Sequence, residues 1–162
     1  LHDGLPGLIA ELRRHGVAIK LDTNGTRPDM LERLLGGGLV EMVSMDVKAP
    51  FDERYNLATA AEVDVDAVRR STELLIAGDV DVEFRTTVCP AFLDFDDLRE
   101  IATAIRGAPL YVLQEFRPGD CLDPAMNEVK PYPRETLRRW AERLDPVVHR
   151  CIVRGDWAGN GG

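Results

Sequence analysis

Apolar and polar positions along the chain follow two alternating spacings, and this alternation predicts helices separated by short strands. Apolar residues at helical spacing, bounded by proline or acidic residues and by glycine, predict helices over 6–15, 28–35, 66–77, 95–106 and 133–144. Short apolar runs predict strands over 17–21, 41–47, 80–88, 110–116 and 147–153. Residues 51–63 are predicted as a loop with a short helix, and 118–132 as a long loop.

Strands separated by single helices predict right-handed crossovers and therefore a parallel α/β sheet. We expect one domain over residues 1–155, followed by a disordered tail over 156–162. In parallel sheets, the functional groups gather where the strands end at their carboxyl termini. Those ends are rich in polar residues here, namely Asp22, Thr23, Asn24, Asp46, Lys48, Gln114, Glu115, Arg117 and Arg154, together with Glu83, Arg85 and Thr87 along the third strand.

Asp46 and Lys48 lie two residues apart at the end of a strand and therefore face the same side. A carboxylate accepts hydrogen bonds from ribose hydroxyls, and an ammonium group pairs with a carboxylate or a phosphate. The pair suits a zwitterionic or nucleoside-bearing ligand, although a salt bridge that closes a strand explains it equally well. Asp22 and Thr23 offer oxygens to a hard cation or a ribose, but Asp22 also suits the start of a turn.

Composition narrows the function classes further. The net charge of −8 argues against binding to a phosphate backbone, so we expect no nucleic-acid partner. No apolar run approaches the roughly 20 residues that span a bilayer, so we expect no membrane association. The three cysteines, Cys89, Cys121 and Cys151, are widely spaced, which favours free thiols in a reducing compartment such as the cytoplasm.

Four motifs in order along the chain resemble the radical S-adenosylmethionine (SAM) superfamily. They are KLDTNGTRP, VSMDVKAPFDERY, VEFRTTV and YVLQEFRPG, and each falls at a predicted strand end. Within that superfamily, the chain is most similar to the activating proteins of anaerobic ribonucleotide reductase. The resemblance covers about residues 5–155 and implies a partial (β/α)6 barrel resembling a TIM barrel.

The resemblance also implies a [4Fe–4S] cluster, held in this family by a C-x-x-x-C-x-x-C loop. Neither that motif nor the family's Gly-Gly-Glu-Pro motif is present in the chain. We therefore expect the cluster ligands, and the first two barrel strands, in a preceding part of a longer enzyme. The 162-residue chain alone is expected to be inactive.

The site residues that the resemblance implies are SAM ligands, cation ligands and residues along the edge of the pocket. Asp46 resembles the ligand of the SAM ribose, Lys48 the ligand of its carboxylate, and Arg85 an arginine beside bound SAM; Asn24 is expected to join them. Asp22 and Thr23 resemble cation ligands, and Thr87, Gln114 and Arg117 are expected to face the substrate. No catalytic residue is assigned.

The implied reaction is reductive cleavage of SAM to methionine and a 5′-deoxyadenosyl radical, which takes a hydrogen atom from a glycine of the partner reductase. The electron would come from a donor such as flavodoxin or ferredoxin. Two alternatives remain open at this point. One is a radical SAM enzyme similar to 7-carboxy-7-deazaguanine synthase, and the other is a non-catalytic module that binds SAM or a nucleotide.

Overall fold

A computed structural model describes residues 1–119, 121 and 123–156, and in this part of the chain five strands form one parallel sheet. The strands are β1 (Lys20–Thr23), β2 (Met42–Asp46), β3 (Asp81–Val88), β4 (Tyr111–Glu115) and β5 (Cys151–Val153). Each strand pairs with the next strand in the sequence. The predicted parallel α/β class is therefore confirmed, and the sequential strand order is that of a partial barrel.

The predicted helices are confirmed to within a few residues at their ends. They are α1 (Leu5–Arg14), α2 (Pro28–Gly36), α3 (Arg54–Thr59), α4 (Val65–Ala77), α5 (Phe95–Ala104) and α6 (Arg134–Leu144). The short helix expected within residues 51–63 is α3. No helix in the described residues is long and apolar enough to cross a membrane.

Three expectations about local structure need correction. The first strand, predicted over 17–21, runs from Lys20 to Thr23, because the Ile19 amide before it donates to the Glu41 carboxylate at 2.6 Å instead of to a neighbouring strand. The predicted loop over 118–132 contains a 3-10 helix, Pro124–Glu128, which begins where the Asp123 carboxylate accepts a hydrogen bond from the Ala125 amide at 2.9 Å. A single turn is too short to show apolar periodicity. The last strand begins at Cys151 instead of 147, because the Val147 amide bonds back to Leu144 and closes a turn after α6.

The helices cover one face of the sheet. A right-handed crossover that always steps to the next strand in the same direction places each helix on the same side. Most strand residues that point to that side are apolar and buried, and they include Val43, Met45, Phe84 and Leu113. Because strand side chains alternate, the intervening positions form the opposite surface. We call this surface the polar face; it carries Lys20, Asp22, Ser44, Asp46, Glu83, Arg85, Thr87 and Gln114.

A reciprocal cap fixes the start of α5 directly after β3. As the sequence predicts, the Asp94 carboxylate accepts hydrogen bonds from the Asp96 and Asp97 amides, at 2.8 and 3.1 Å. The Asp97 carboxylate in turn accepts from the Asp94 amide at 2.8 Å. Such a cap stabilises a helix by about 1 kcal/mol. It therefore also holds in place the loop that joins the carboxyl end of β3 to α5.

The end of the described chain is tied to α6. The carboxylate of Asp156 pairs with Arg134 at 2.8 Å and with Arg138 at 2.7 Å. The other residues of the predicted tail, 157–162, lie outside the described residues.

Candidate functional site

The carboxyl ends of β1, β2 and β3 bring three of the predicted site residues into direct contact. Asp46 and Arg85 are register partners on β2 and β3, and Arg85 Nε donates to Asp46 Oδ1 at 2.8 Å. Arg85 Nη1 also reaches diagonally to Asp22 Oδ1 on β1, at 3.1 Å. One guanidinium group therefore links two carboxylates from two different strands.

Lys48 completes this group from just beyond the end of β2. Its Nζ lies 2.9 Å from Asp46 Oδ2, so Asp46 pairs with Arg85 through one oxygen and with Lys48 through the other. We call Asp22, Asp46, Lys48 and Arg85 the ion cluster. Its contacts are charge-assisted hydrogen bonds, which hold side chains in place more firmly than neutral ones.

A buried tyrosine fixes the backbone under Lys48. The Tyr55 hydroxyl accepts a hydrogen bond from the Lys48 amide at 3.3 Å, and its ring is fully buried. Burial, together with the nearby charge of Asp46, raises the pKa of Tyr55 to about 12, although the Lys48 amide opposes this shift. The phenol therefore stays protonated at neutral pH, and its hydrogen bond with the Lys48 amide holds the segment after β2 in place.

Thr23 and Asn24 build the turn after β1. The Thr23 hydroxyl accepts from the Gly25 amide at 3.1 Å, and Asn24 Oδ1 accepts from the amide and the hydroxyl of Thr26 at 3.2 and 2.9 Å. Gly25 has φ +75°, and a Cβ at this position would lie 2.2 Å from the Met45 side chain. Both the backbone conformation and the close approach therefore require glycine at this turn.

The ion cluster borders a polar cavity of about 330 Å³. Its lining consists of Leu1, Asp22, Thr23, Asn24, Asp46 and Arg85. The carboxylates can accept hydrogen bonds from hydroxyl groups, and the guanidinium and ammonium groups can pair with a carboxylate. The arrangement therefore suits a ligand that carries hydroxyls and both signs of charge.

A second, mostly apolar cavity has a volume of about 390 Å³. Lys48 and Thr87 share its wall with Ala58, Thr59, Cys89, Phe92, Leu93, Phe116 and Met126. The lining comes from the segments that follow β2, β3 and β4. Two large apolar residues of the same segments, Leu57 and Phe92, are exposed to solvent. We call this cavity and its mouth the apolar pocket.

Of the predicted substrate-facing residues, Thr87 lines the apolar pocket, and Gln114 is not among the described residues that line either cavity. Thr87 Oγ1 lies 3.5 Å from Gln114 Oε1, as their register pairing on β3 and β4 requires. Arg117 is exposed just beyond β4 and is not among the described residues that line either cavity.

SAM and the iron–sulfur cluster fit the described residues differently. The ion cluster supplies the acceptors and donors that a SAM molecule needs. For a metal cluster, the described residues contain no group of three or more His, Cys, Asp or Glu side chains that could hold one. All three cysteines are free thiols, and Cys89 and Cys151 are buried. Burial raises the pKa of Cys151 to about 12, which disfavours the thiolate that metal binding requires.

Three residues of the site escaped the sequence interpretation. Tyr55 lies inside a quoted motif, but nothing in a single sequence signals that its hydroxyl returns to the Lys48 amide. Ser44 and Lys20 each lie two positions before a residue that was singled out, so strand alternation alone places them on the polar face.

The fold and the site together define a parallel α/β domain whose pocket at the strand ends suits a zwitterionic, hydroxyl-bearing ligand. No protein-family model matches the chain. The chain is similar to a protein of Methanocaldococcus jannaschii that carries the provisional name of a glycyl-radical enzyme activating enzyme. The two are 30% identical over 147 residues, which cover 88% of this chain and 60% of the relative. The similarity supports the radical SAM superfamily but does not extend to a ribonucleotide reductase as the target.

Proposed function

We propose that this chain forms the SAM-binding part of an enzyme that activates a glycyl-radical protein. The observation that carries the proposal is the ion cluster, in which residues from three neighbouring strand ends meet beside a polar cavity. The similarity to a named activating enzyme supports the same class. The chain spans 60% of that relative's length, and we therefore propose the activating function for the complete enzyme.

Each member of the ion cluster has a distinct task in this proposal. Asp46 accepts from the ribose hydroxyls, while Lys48 turns from Asp46 toward the carboxylate of the ligand. Arg85 holds Asp46 in place during this exchange, because its Nε contact at 2.8 Å does not involve the oxygen that faces Lys48. Asn24 borders the same cavity, and Asp22 and Thr23 are the proposed ligands of a cation.

When bound, SAM supplies the radical chemistry of the reaction. The described thiols do not fit an iron–sulfur cluster, so no step is assigned to them. What the chain's own residues contribute is binding, orientation and exclusion of water at the strand ends. Such positioning is the usual contribution of a protein to cofactor chemistry.

The apolar pocket is the proposed seat for the target polypeptide. Lys48 of the ion cluster also lines this pocket, so an apolar segment placed there would lie next to the proposed SAM site. Thr87 and Gln114 would face that segment, and the exposed Arg117 would lie at its edge. Within the class, we propose an anaerobic ribonucleotide reductase as the target, with flavodoxin or ferredoxin as the electron donor in the cytoplasm.

Binding of SAM by a Lys48 variant tests the proposed function. In the natural full-length protein, Lys48→Gln should raise the dissociation constant for SAM about tenfold, since a charge-assisted hydrogen bond is lost. Lys130→Gln is the matched control, because Lys130 is exposed and lines neither cavity among the described residues. Calorimetry that detects no SAM binding by the wild-type protein would refute the proposal.

The target class needs a separate measurement. Electron paramagnetic resonance of the reconstituted protein, mixed with an anaerobic ribonucleotide reductase, should show a glycyl radical. A radical on another glycyl-radical protein alone would keep the class and change the target. Turnover of the small-molecule substrate of 7-carboxy-7-deazaguanine synthase instead would favour that alternative.

A further inference from the structure

A carboxylate outside the ion cluster lies at the centre of the polar face. Glu83 is 1% exposed and precedes Arg85 by two residues on β3. Its Oε1 accepts from Ser44 Oγ at 2.7 Å, Arg154 Nη2 at 3.1 Å and Lys20 Nζ at 3.3 Å. Arg85 Nη1 lies 3.9 Å away from the same oxygen. These partners come from β1, β2, β3 and the residue after β5, so Glu83 connects residues from most of the sheet.

The Glu83 carboxylate is ionised at neutral pH. Burial alone raises its pKa, but the hydrogen bonds from Ser44 and Arg154 and the charges of Arg154 and Lys20 together hold the pKa below its usual range. The result is a full negative charge in a water-poor interior. Charges in such surroundings act over longer distances than they do in water.

Glu83 also stands behind the proposed SAM site without lining it. Two residues along a strand correspond to about 6.6 Å, so its carboxylate lies roughly one side-chain layer below Arg85 and Asp46. Glu83 is not among the described residues that line either cavity. Its influence on a ligand at the strand ends is therefore electrostatic and does not depend on contact.

The charges around the site are closely balanced. The anions Asp22, Asp46 and Glu83 face the cations Lys20, Lys48, Arg85 and Arg154, which leaves one positive charge among these seven side chains. Without Glu83 the same group would carry two positive charges. An additional positive charge in this region opposes a cationic ligand and affects a neutral one much less.

We infer that Glu83 determines specificity for the charged sulfonium of SAM over the neutral thioether of S-adenosylhomocysteine. The inference rests on the proposed function and deepens it, because the two ligands differ by one methyl group and one charge. If the sulfonium binds about 10 Å from this charge, an effective dielectric constant between about 20 and 40 gives a change in preference of about fourfold to sixteenfold. Contacts to the ribose, the adenine and the amino-acid part contribute equally to both ligands.

The test is the ratio of two dissociation constants, measured by calorimetry on the natural full-length protein at low salt. Glu83→Gln keeps the shape of the side chain and its hydrogen bond with Ser44 while removing the charge. We expect the preference for SAM over S-adenosylhomocysteine to fall by about fourfold to sixteenfold. A variant that merely disturbs the structure would weaken both ligands equally and leave the ratio unchanged.

Lys20→Gln removes a positive charge instead of a negative one, and it keeps the inference testable if Glu83→Gln does not fold. Lys20 is 44% exposed, so its replacement should leave the fold intact even where Glu83→Gln does not fold. Removing this cation should raise the preference for SAM. The double variant should show a ratio between those of wild type and Glu83→Gln, because water screens the exposed Lys20 charge more than the buried Glu83 charge.

The outcomes separate this inference from the proposed function. If the protein binds both ligands but the ratio of their dissociation constants is the same in wild type, Lys20→Gln and Glu83→Gln, the inference about Glu83 is overturned and the proposed function stands. A wild-type protein that binds neither ligand would overturn both proposals.

Discussion

Two of the ion pairs of Arg85, those with Asp46 and Asp22, differ in strength, and the difference can be measured. Its pair with Asp46 is 2.8 Å long and joins side chains that are 15% and 27% exposed. Its pair with Asp22 is 3.1 Å long, but the Asp22 side chain is 62% exposed. Water and salt screen exposed charges, so we expect a coupling energy of about 1 kcal/mol with Asp46 and below about 0.5 kcal/mol with Asp22.

Double-mutant cycles give these coupling energies directly. The single variants are Arg85→Met, Asp46→Asn and Asp22→Asn, and each carboxylate change is also combined with Arg85→Met. The free energy of unfolding is measured for each protein by urea denaturation, followed by circular dichroism. Arg85→Met keeps the packing of the side-chain stem and should cost about 2 kcal/mol, because it leaves the partly buried Asp46 with Lys48 as its remaining partner.

The comparison between the two cycles decides the outcome. A larger coupling with Asp22 than with Asp46 would refute the reasoning from exposure. Two couplings near zero would mean that Arg85 is held by packing alone, and the ion cluster would then not be pre-organised.

Three further predictions concern the surroundings of the site. Tyr55→Phe should lower the free energy of unfolding by about 1 kcal/mol and weaken SAM binding, because the Lys48 amide loses its buried acceptor; unchanged binding in calorimetry would contradict the positioning role. The stability that ionised Glu83 provides should be fully present above its unfolded pKa of about 4.5 and should be lost as the pH falls through its lower folded pKa. Urea denaturation of wild type and Glu83→Gln between pH 3 and 7 should therefore show a difference that shrinks below about pH 4.5, and a constant difference would argue against it. Leu57→Lys should reduce glycyl-radical formation without changing SAM affinity, whereas the similarly exposed Leu8→Lys on α1 should change neither; equal effects would remove the apolar pocket as the seat of the target.

The sequence predicts the fold well because the fold depends on periodic patterns. Runs such as 41–47 and 80–88 alternate or stay apolar over enough positions to define a strand, and the intervening helices fix the parallel direction. The meeting of Asp46 with Arg85 follows from the same rule, because the ends of parallel neighbours lie side by side.

The parts of the site that sequence reasoning could not predict depend on side-chain reach and on loop closure. In the strand register, Asp22 lies opposite Ser44 and not opposite Arg85. The Arg85 side chain contacts Asp22 because it is long enough to extend diagonally across β2. The apolar pocket is assembled mainly from the segments that follow three strands, and no local sequence pattern indicates which residues of these segments meet. For the same reason, the central position of Glu83 becomes visible only when Lys20 and Arg154 are seen to converge on it.

The sequential strand order has a consequence for how this chain folds. Each strand finds its partner within the next strand–helix–strand unit, so no pairing waits for a distant segment. Chain segments that emerge first from the ribosome can therefore assemble before later ones are synthesised. Each new strand is added to the edge of the sheet that has already formed, and the existing strand pairs do not rearrange. Contacts between segments that are close in sequence favour rapid folding. One contact departs from this local order. Glu83 pairs with Arg154, which lies 71 residues later in the sequence, so this ion pair can form only after the last strand has been synthesised.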